Sequence, residues 1–204
     1  PDVRSGAGDL GRRIVADMDS ITHDRIAAYS IENAESNLSR LASGRSVRAL
    51  RNRPLGQGPS AVVVAAGPSL RRTAVAEKVK SHDYSGAIIC ADSAMFYLLE
   101  HGIIPDLVVT LDPHGDRIVR WFGDPGLTGA DLLSDDYFRR QDMDSAFADE
   151  METNARICAL LDEHGQQIKI AMSVSAAPEV VERAIQVGMD IYWWNPMLDD
   201  PDAP

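Results

Sequence analysis

The sequence predicts an α/β fold with an open, mainly parallel sheet of at least five strands. Short apolar runs typical of buried strands alternate with helical patterns between residues 61 and 194. The turns between them are short, which favours parallel pairing through right-handed crossovers. A helical pattern over 10–42 precedes the first strand, and we expect it to form an N-terminal appendage.

The composition limits the classes of partner. The chain has 204 residues, of which 45% are hydrophobic, so it can bury a sizeable core. Its net charge of -11 argues against a general nucleic-acid or anionic-membrane surface, because both reward clustered Lys and Arg. No signal-peptide pattern is present, and no apolar run approaches the roughly 20 residues that span a bilayer. We expect a cytoplasmic protein whose Cys90 and Cys158 are buried free thiols.

The first 60 residues read as helices followed by a connector. Leu10, Ile14, Met18 and Ile21 recur at helical spacing, and we expect the pattern to break into two or three helices before Ala42. Asn33 and Asn37 lie one turn apart, and we expect a polar outer face there rather than a binding role. We divide the chain into a helical segment, 1–57, and an α/β domain, 58–204. The acidic, Pro-containing end predicts a domain truncated at its C-terminus, with a longer parent chain.

The stretch from Ala61 to Leu70 organises the predicted site. Its apolar, β-branched run suits a strand buried on both faces, and Gly67 and Pro68 end that strand. Ser69 is placed to cap a helix over 70–80, whose unpaired N–H groups would attract an anion. Arg71 and Arg72 add positive charge. Neither a P-loop nor a dinucleotide fingerprint is present. On local chemistry alone, we favour phosphate binding over an ordinary strand–helix turn.

Two further strands end in acidic residues. The strand 87–90 leads to Asp92 and to Ser93, a candidate cap for a helix over 94–101, and the strand 107–111 leads to Asp112. Because parallel strands end at the same edge of a sheet, we expect Gly67–Leu70, Asp92 and Asp112 to converge on one pocket. Residues 113–143 interrupt the alternation as a long acidic loop, which is usually functional or mobile. Helices over 144–163 and 178–187 and strands over 168–172 and 191–194 complete the prediction.

Three ordered motifs carry a resemblance to a known family. They are Gly67-Pro68-Ser69-Leu70, Ala91-Asp92-Ser93-Ala94, and the run from Gly102 to Pro113 that contains Pro105-Asp106 and Leu111-Asp112. The chain resembles the 6-hydroxymethylpterin diphosphokinase MptE-like family, which includes the motility accessory factors of flagellin glycosylation. The resemblance implies a Rossmann-like domain related to thiamine pyrophosphokinases. It also implies kinship with bacterial sialyltransferases that hold a cytidine nucleotide against a similar Gly-Pro-Ser turn.

The resemblance also implies roles for individual residues. Gly67, Pro68, Ser69 and Leu70, with Asp92 and Ser93, would hold phosphate, and Asp92 and Asp112 would organise Mg²⁺. Asp116 or His114 would take the proton, although Asp116 comes closer after Asp112 than the family pattern leads us to expect. A solvated loop histidine remains the alternative for His114.

Three functions stay open at this point. The favoured one is Mg²⁺-dependent transfer of diphosphate from ATP to a hydroxymethyl group. The alternatives are a nucleotide-sugar-dependent glycosyltransferase of the motility accessory factor type and a non-catalytic nucleotide-binding or interaction domain. The expected partners are a nucleotide and a small-molecule acceptor, and a homo-oligomer or further domains in the parent chain are left open.

Overall fold

A computed structural model describes residues 28–115, 118–134 and 144–195. It contains one six-stranded sheet in which every neighbouring pair of strands is parallel. Helices flank the sheet and a helix precedes it, so the predicted Rossmann-like α/β class is confirmed. Within those residues, no helix is both long enough and apolar enough to cross a membrane.

The sheet is wound mostly in one direction. Its order is β1-β6-β5-β4-β3-β2, so β2 to β6 follow one another across the sheet as they do along the chain. The strands are β1 (Arg45–Ser46), β2 (Ala61–Val64), β3 (Ala87–Ala91), β4 (Leu107–Thr110), β5 (Lys169–Ser173) and β6 (Asp190–Trp194). The two-residue β1 pairs with β6 inside the stretch 43–60, where only a connector was expected. A strand of that length leaves no periodic signal in a sequence.

Eight α-helices are described. They are α1 (28–37), α2 (Pro68–Arg72), α3 (Val75–Ser81), α4 (Asp92–Glu100), α5 (Ile118–Trp121), α6 (Gly129–Ser134), α7 (Asp144–His164) and α8 (Pro178–Gln186). The 3₁₀ helices are Leu38–Ser43, Val47–Asn52 and Gly165–Gln167. Two short helices, α5 and α6, therefore lie within the stretch 113–143 that was expected to be a loop.

The main core lies between one face of the sheet and the helices that connect its strands. Alternate strand residues such as Cys90, Val108 and Met172 are buried there against Leu98 of α4 and Leu161 of α7. A crossover between neighbouring parallel strands is right-handed, so steps in one direction carry their helices to one face of the sheet. This winding fixes which strand residues are covered.

The predicted helix 70–80 is two helices, and Ser69 does not cap it. The first helix begins at Pro68, whose fixed φ suits the first helical position, so Ser69 lies inside α2. The amide and the hydroxyl of Thr73 both donate to the carbonyl of Ser69, at 2.9 and 2.8 Å. The amide bond has the ordinary helical i→i−4 spacing, whereas the hydroxyl bond is of the side-chain type that competes with helix propagation. Ala74 then adopts a left-handed φ of 51° before α3 begins.

The expected polar outer face at Asn33 and Asn37 is wrong. Asn37 is fully buried, and its Nδ2 donates to the carbonyls of Val174 and Ala176 at 3.0 and 2.8 Å. Asn33 likewise donates from Nδ2 to the carbonyls of Pro113 and Ser175, at 2.8 and 3.1 Å. The two amides tie α1 to the segments that follow β4 and β5.

Candidate functional site

A cavity of about 280 Å³ lies beyond the carboxyl ends of the strands, beside the turn that follows β2. Three elements line it: the turn itself, the first half of α4, and α5. The lining residues are Ala66, Gly67, Leu70, Ser93, Phe96, Tyr97, Arg120 and Trp121. Three of the residues predicted to bind phosphate, Gly67, Leu70 and Ser93, therefore share one cavity.

Gly67 leaves space in this cavity. A Cβ built on Gly67 would have the Oγ of Ser69, at 4.0 Å, as its nearest neighbour beyond the adjoining residues, so packing does not require a glycine there. The amide of Leu70 donates to the carbonyl of Gly67 at 3.0 Å, which closes the turn, and the Leu70 side chain is buried. Ser69 is exposed and is not among the lining residues. Pro68 is the first residue of α2.

The helix that follows this turn is short. With five residues, α2 has a much smaller dipole than the predicted helix over 70–80 would have. Arg120 of α5 is the cationic side chain among the residues that line the cavity. Among the described lining residues, positive charge thus comes from Arg120 of α5, and Arg72 is not one of them. The side chain of Arg71 lies outside what the structure describes.

Asp92 lies at the start of α4 with both carboxylate oxygens engaged. Oδ1 accepts from the amide of Ser93 and Oδ2 from the hydroxyl of Thr110, each at 2.6 Å. Ser93 is the second residue of α4, so it is not the helix cap that the sequence predicted. Burial raises the pKa of Asp92 and the negative charge of Asp112 raises it further, while the two hydrogen bonds oppose the change. Asp92 therefore has the electrostatic surroundings of a cation ligand or a retained proton.

Asp112 and His114 form a pair after β4. The Oδ1 of Asp112 accepts from the amide and from the Nδ1 of His114, both at 3.0 Å. Because a carboxylate only accepts, this contact places a proton on Nδ1, so in the neutral imidazole the lone pair is on Nε2. The ring of Tyr29 in α1 lies 5.6 Å from the His114 ring, centroid to centroid. Asp116 lies outside the described residues.

The predicted site residues thus lie at the ends of neighbouring strands, but they do not all line the same cavity. Gly67, Leu70 and Ser93 face the cavity, while Asp92 and Asp112 are not among its lining residues, although the charge of Asp112 acts on Asp92. Their assignment to phosphate, metal and proton transfer stays a prediction. A larger cavity of about 390 Å³ beside α8 contains none of these residues.

Besides Ala66, which adjoins the predicted turn, sequence reasoning missed four lining residues. Phe96 and Tyr97 stand three and four positions after Ser93 on α4, so the helical period places them on the same side as the predicted Ser93. That signal was available in the sequence. Arg120 and Trp121 carried no such signal, because their position depends on α5, a four-residue helix inside the predicted loop.

The residues fit a small divalent cation only in part. In the described ranges, no group of three or more His, Cys, Asp or Glu side chains is arranged to hold a metal ion. Mg²⁺ usually takes one or two carboxylates and completes its octahedron with waters and substrate phosphates. Asp92 and Asp112, coupled electrostatically at neighbouring strand ends, match that smaller requirement.

The comparison with protein families agrees with this geometry. A family model described as 6-hydroxymethylpterin diphosphokinase MptE-like matches residues 32–120. The chain carries an MptE-like segment. That segment runs from α1 to α5 and therefore includes every residue that lines the 280 Å³ cavity except Trp121. The match supports a diphosphokinase-like or glycosyltransferase-related domain and confirms the family resemblance seen in the motifs. No curated protein matches the chain significantly.

Proposed function

We propose that this chain is a nucleotide-phosphate-binding transferase domain with diphosphokinase-like chemistry. One observation carries the proposal: the MptE-like segment encloses a cavity in which a glycine turn, Ser93 and Arg120 meet aromatic side chains. Backbone amides, a hydroxyl and a guanidinium suit phosphate oxygens, and aromatic rings suit a planar base. The partners are then a nucleotide and a small-molecule acceptor in the cytoplasm.

Arg120 and Ser93 bind the transferring phosphates in this proposal. Phosphoryl and diphosphoryl transfer depend on positioning and on neutralising charge, so a fixed guanidinium at the cavity stabilises both the bound nucleotide and the transition state. Mg²⁺, held by Asp92 and Asp112, would supply further charge neutralisation. Gly67 keeps the wall of the cavity low enough for phosphate to approach the backbone.

His114 accepts the proton in this proposal. The acceptor's hydroxymethyl oxygen forms a bond to the β-phosphorus of ATP, the bond between the β-phosphorus and the α,β-bridging oxygen breaks, and AMP leaves. The proton of the hydroxyl passes to Nε2 of His114. Asp112 holds the imidazole in the tautomer that leaves Nε2 able to accept it. Asp116 remains the alternative proton acceptor.

The first test uses Gly67→Ala, because that position separates binding from folding. The added methyl group makes no close contact, so we expect a free energy of unfolding within about 0.5 kcal/mol of the wild-type value. It enters the cavity, so we expect at least about tenfold weaker ATP binding by calorimetry, which corresponds to ~1.4 kcal/mol. Gly58→Ala is the matched control, since its Cβ also makes only ordinary contacts, the nearest at 3.4 Å. Unchanged ATP affinity in Gly67→Ala would contradict the assignment of this cavity.

The second test concerns the metal and the nucleotide. We expect Asp112→Asn to lose Mg²⁺-dependent nucleotide binding and to keep the fold, because a half-buried carboxylate at a strand end adds little to the core. Asp83→Asn removes the same charge from an exposed turn that precedes β3 and serves as the control. Calorimetry compares ATP, CTP, CMP-sugars and UDP-sugars with and without Mg²⁺. Preference for a sugar nucleotide would replace the kinase by a glycosyltransferase, and binding of no nucleotide would leave an interaction domain. Equal Mg²⁺-linked affinity in wild type and Asp112→Asn would exclude Asp112 as an essential metal ligand.

A further inference from the structure

Arg120 depends on its surroundings for its position at the 280 Å³ cavity. It belongs to α5, a helix of four residues, and helices shorter than about 12–15 residues are marginal on their own in water. α5 packs against α4 and α7. The placement of Arg120 is therefore set by contacts that α5 and its flanking residues make with other elements.

The chain leaves α5 through a tight turn that lies against α7. Phe122 follows α5 directly; its amide donates to the carbonyl of Ile118 at 2.9 Å, and its side chain is 1% exposed. Gly123 has a φ of 67°, and a Cβ on it would lie 2.7 Å from the Sγ of Cys158 and 3.0 Å from the Cys158 amide nitrogen. Both the positive φ and the close approach to α7 require glycine at this position.

Asn154 of α7 holds the next residue of the turn at two points. Its Nδ2 donates to the carbonyl of Asp124 at 2.8 Å, and its Oδ1 accepts from the amide of Asp124 at 2.7 Å. Asn154 is buried, so water does not readily replace these bonds. Two bonds to one residue fix the orientation of the turn as well as its distance from α7.

Arg183 of α8 holds the same turn less tightly. Its Nε donates to the carbonyl of Phe122 at 3.3 Å, and its Nη2 donates to the carbonyl of Cys158, also at 3.3 Å. Bonds of that length are longer than the usual value of about 2.9–3.0 Å, whereas both bonds of Asn154 are shorter. Asn154 therefore makes the stronger of the two attachments.

We infer that Asn154 is a positioning residue for nucleotide binding. Its two bonds hold the turn after α5 on α7, and the turn holds Arg120 at the cavity. The inference rests on the proposed function, in which the Arg120 guanidinium binds the transferring phosphates. Asn154 does not itself line the cavity, so its effect on a bound nucleotide passes through α5.

A double-mutant cycle on ATP affinity tests this role. Asn154→Ala removes both bonds, and we expect about tenfold weaker ATP binding by calorimetry, close to the loss of one hydrogen bond to a charged group. In Arg120→Ala the guanidinium is already absent, so adding Asn154→Ala should change the affinity by less than about twofold. Losses that multiply in the double variant would show that Asn154 does not act through Arg120 and would overturn the inference.

Hydrogen exchange in the protein without nucleotide measures the attachment of α5 directly. The amide of Phe122 bonds to Ile118 and not to Asn154, so its exchange rate reports on α5 itself. We expect Asn154→Ala to raise this rate at least about tenfold, because the end of α5 is no longer held. Exchange at the wild-type rate would overturn the inference.

Met189→Ala is the control for a general loss of stability. Met189 is buried and directly precedes β6, so it lies at the amino edge of the sheet, opposite the cavity. Its truncation should lower the free energy of unfolding but leave the ATP affinity and the exchange rate of the Phe122 amide unchanged. An equal loss of affinity in this control would assign the effect of Asn154→Ala to destabilisation and overturn the inference.

Gly123→Ala provides a second variant that keeps Asn154 and is used as well if Asn154→Ala does not fold. Its Cβ pushes the turn away from Cys158, so ATP binding should weaken and the Phe122 amide should exchange faster, as in Asn154→Ala. Wild-type behaviour of Gly123→Ala would overturn the inference. A wild type that binds no ATP would contradict the proposed function instead, and the exchange rate of Phe122 would then decide whether Asn154 holds α5.

Discussion

Asn37→Asp is the substitution that most directly tests how α1 is attached. Asparagine and aspartate have nearly the same shape, so the change removes the two N–H donors without creating a cavity. The carbonyls of Val174 and Ala176 then face a carboxylate instead of an amide. The site is fully buried, so water cannot replace the lost donors.

The size of the effect follows from these two bonds. A buried polar group left unsatisfied costs about 1–3 kcal/mol, so two carbonyls cost about 2–6 kcal/mol, and the buried charge adds to this at neutral pH. We expect a loss of at least about 4 kcal/mol, a large part of the 5–15 kcal/mol typical of a whole domain. Below the pKa of the new carboxyl, its O–H can donate to one carbonyl. Burial raises that pKa in the folded state, so stability should return as the pH falls through it and be lost again as the pH rises.

Urea unfolding followed by tryptophan fluorescence measures this loss at pH 7 and pH 4. Gln57→Glu adds the same charge at an exposed position and should change the free energy of unfolding by less than about 0.5 kcal/mol. Asn33→Asp, which breaks the same pattern at a partly buried site, should fall between the two. A loss below about 1 kcal/mol in Asn37→Asp would refute the role assigned to its amide.

Two further predictions concern stability. Burial raises the pKa of Asp92 above the ordinary value of 3.8, so the folded wild type loses stability as the pH rises above 3.8 and this carboxyl ionises. Asp92→Asn has no such group, so its stability relative to wild type should increase from pH 4 to pH 7. A stability difference that stays constant over this range in urea unfolding would contradict this. Gly86→Ala should lower the free energy of unfolding by about 2 kcal/mol or more, because its Cβ would lie 2.2 Å from the hydroxyl oxygen of Tyr84 and 2.4 Å from the carbonyl oxygen of Ser60. A melting temperature equal to that of wild type would contradict this and show that the strand can shift to accept the methyl group.

The sheet could be predicted because its strands leave strong local signals. The apolar runs at β2 to β6 are bounded by Gly, Pro and Asp, and the helical patterns between them favour parallel pairing through crossovers. β1 was not predicted because a strand of two residues shows no alternation of apolar and polar side chains. The starts of α2 and α4, at Pro68 and Asp92, were each predicted two residues too late, since Ser69 and Ser93 resemble caps in sequence but lie inside their helices.

Site residues that directly follow a strand could be located from the sequence. Those that depend on contacts between distant segments could not. Parallel topology alone places Gly67, Asp92 and Asp112 at one edge. The contacts of Asn33 with Pro113 and Ser175 span 80 and 142 residues of sequence, and no local pattern encodes them. Arg120 entered the cavity through the packing of α5 on α4, which a sequence with an apparent loop over 113–143 conceals.

The placement of α1 bears on the proposed chemistry. The cavity lies at the ends of β2 and β3, and the pair of Asp112 and His114 lies at the end of β4, the next strand along. Asn33 fixes the carbonyl of Pro113, the residue between that pair, and Tyr29 packs on the His114 ring. In the proposed reaction the phosphate donor and the proton acceptor therefore occupy neighbouring strand ends, and α1 orients the acceptor.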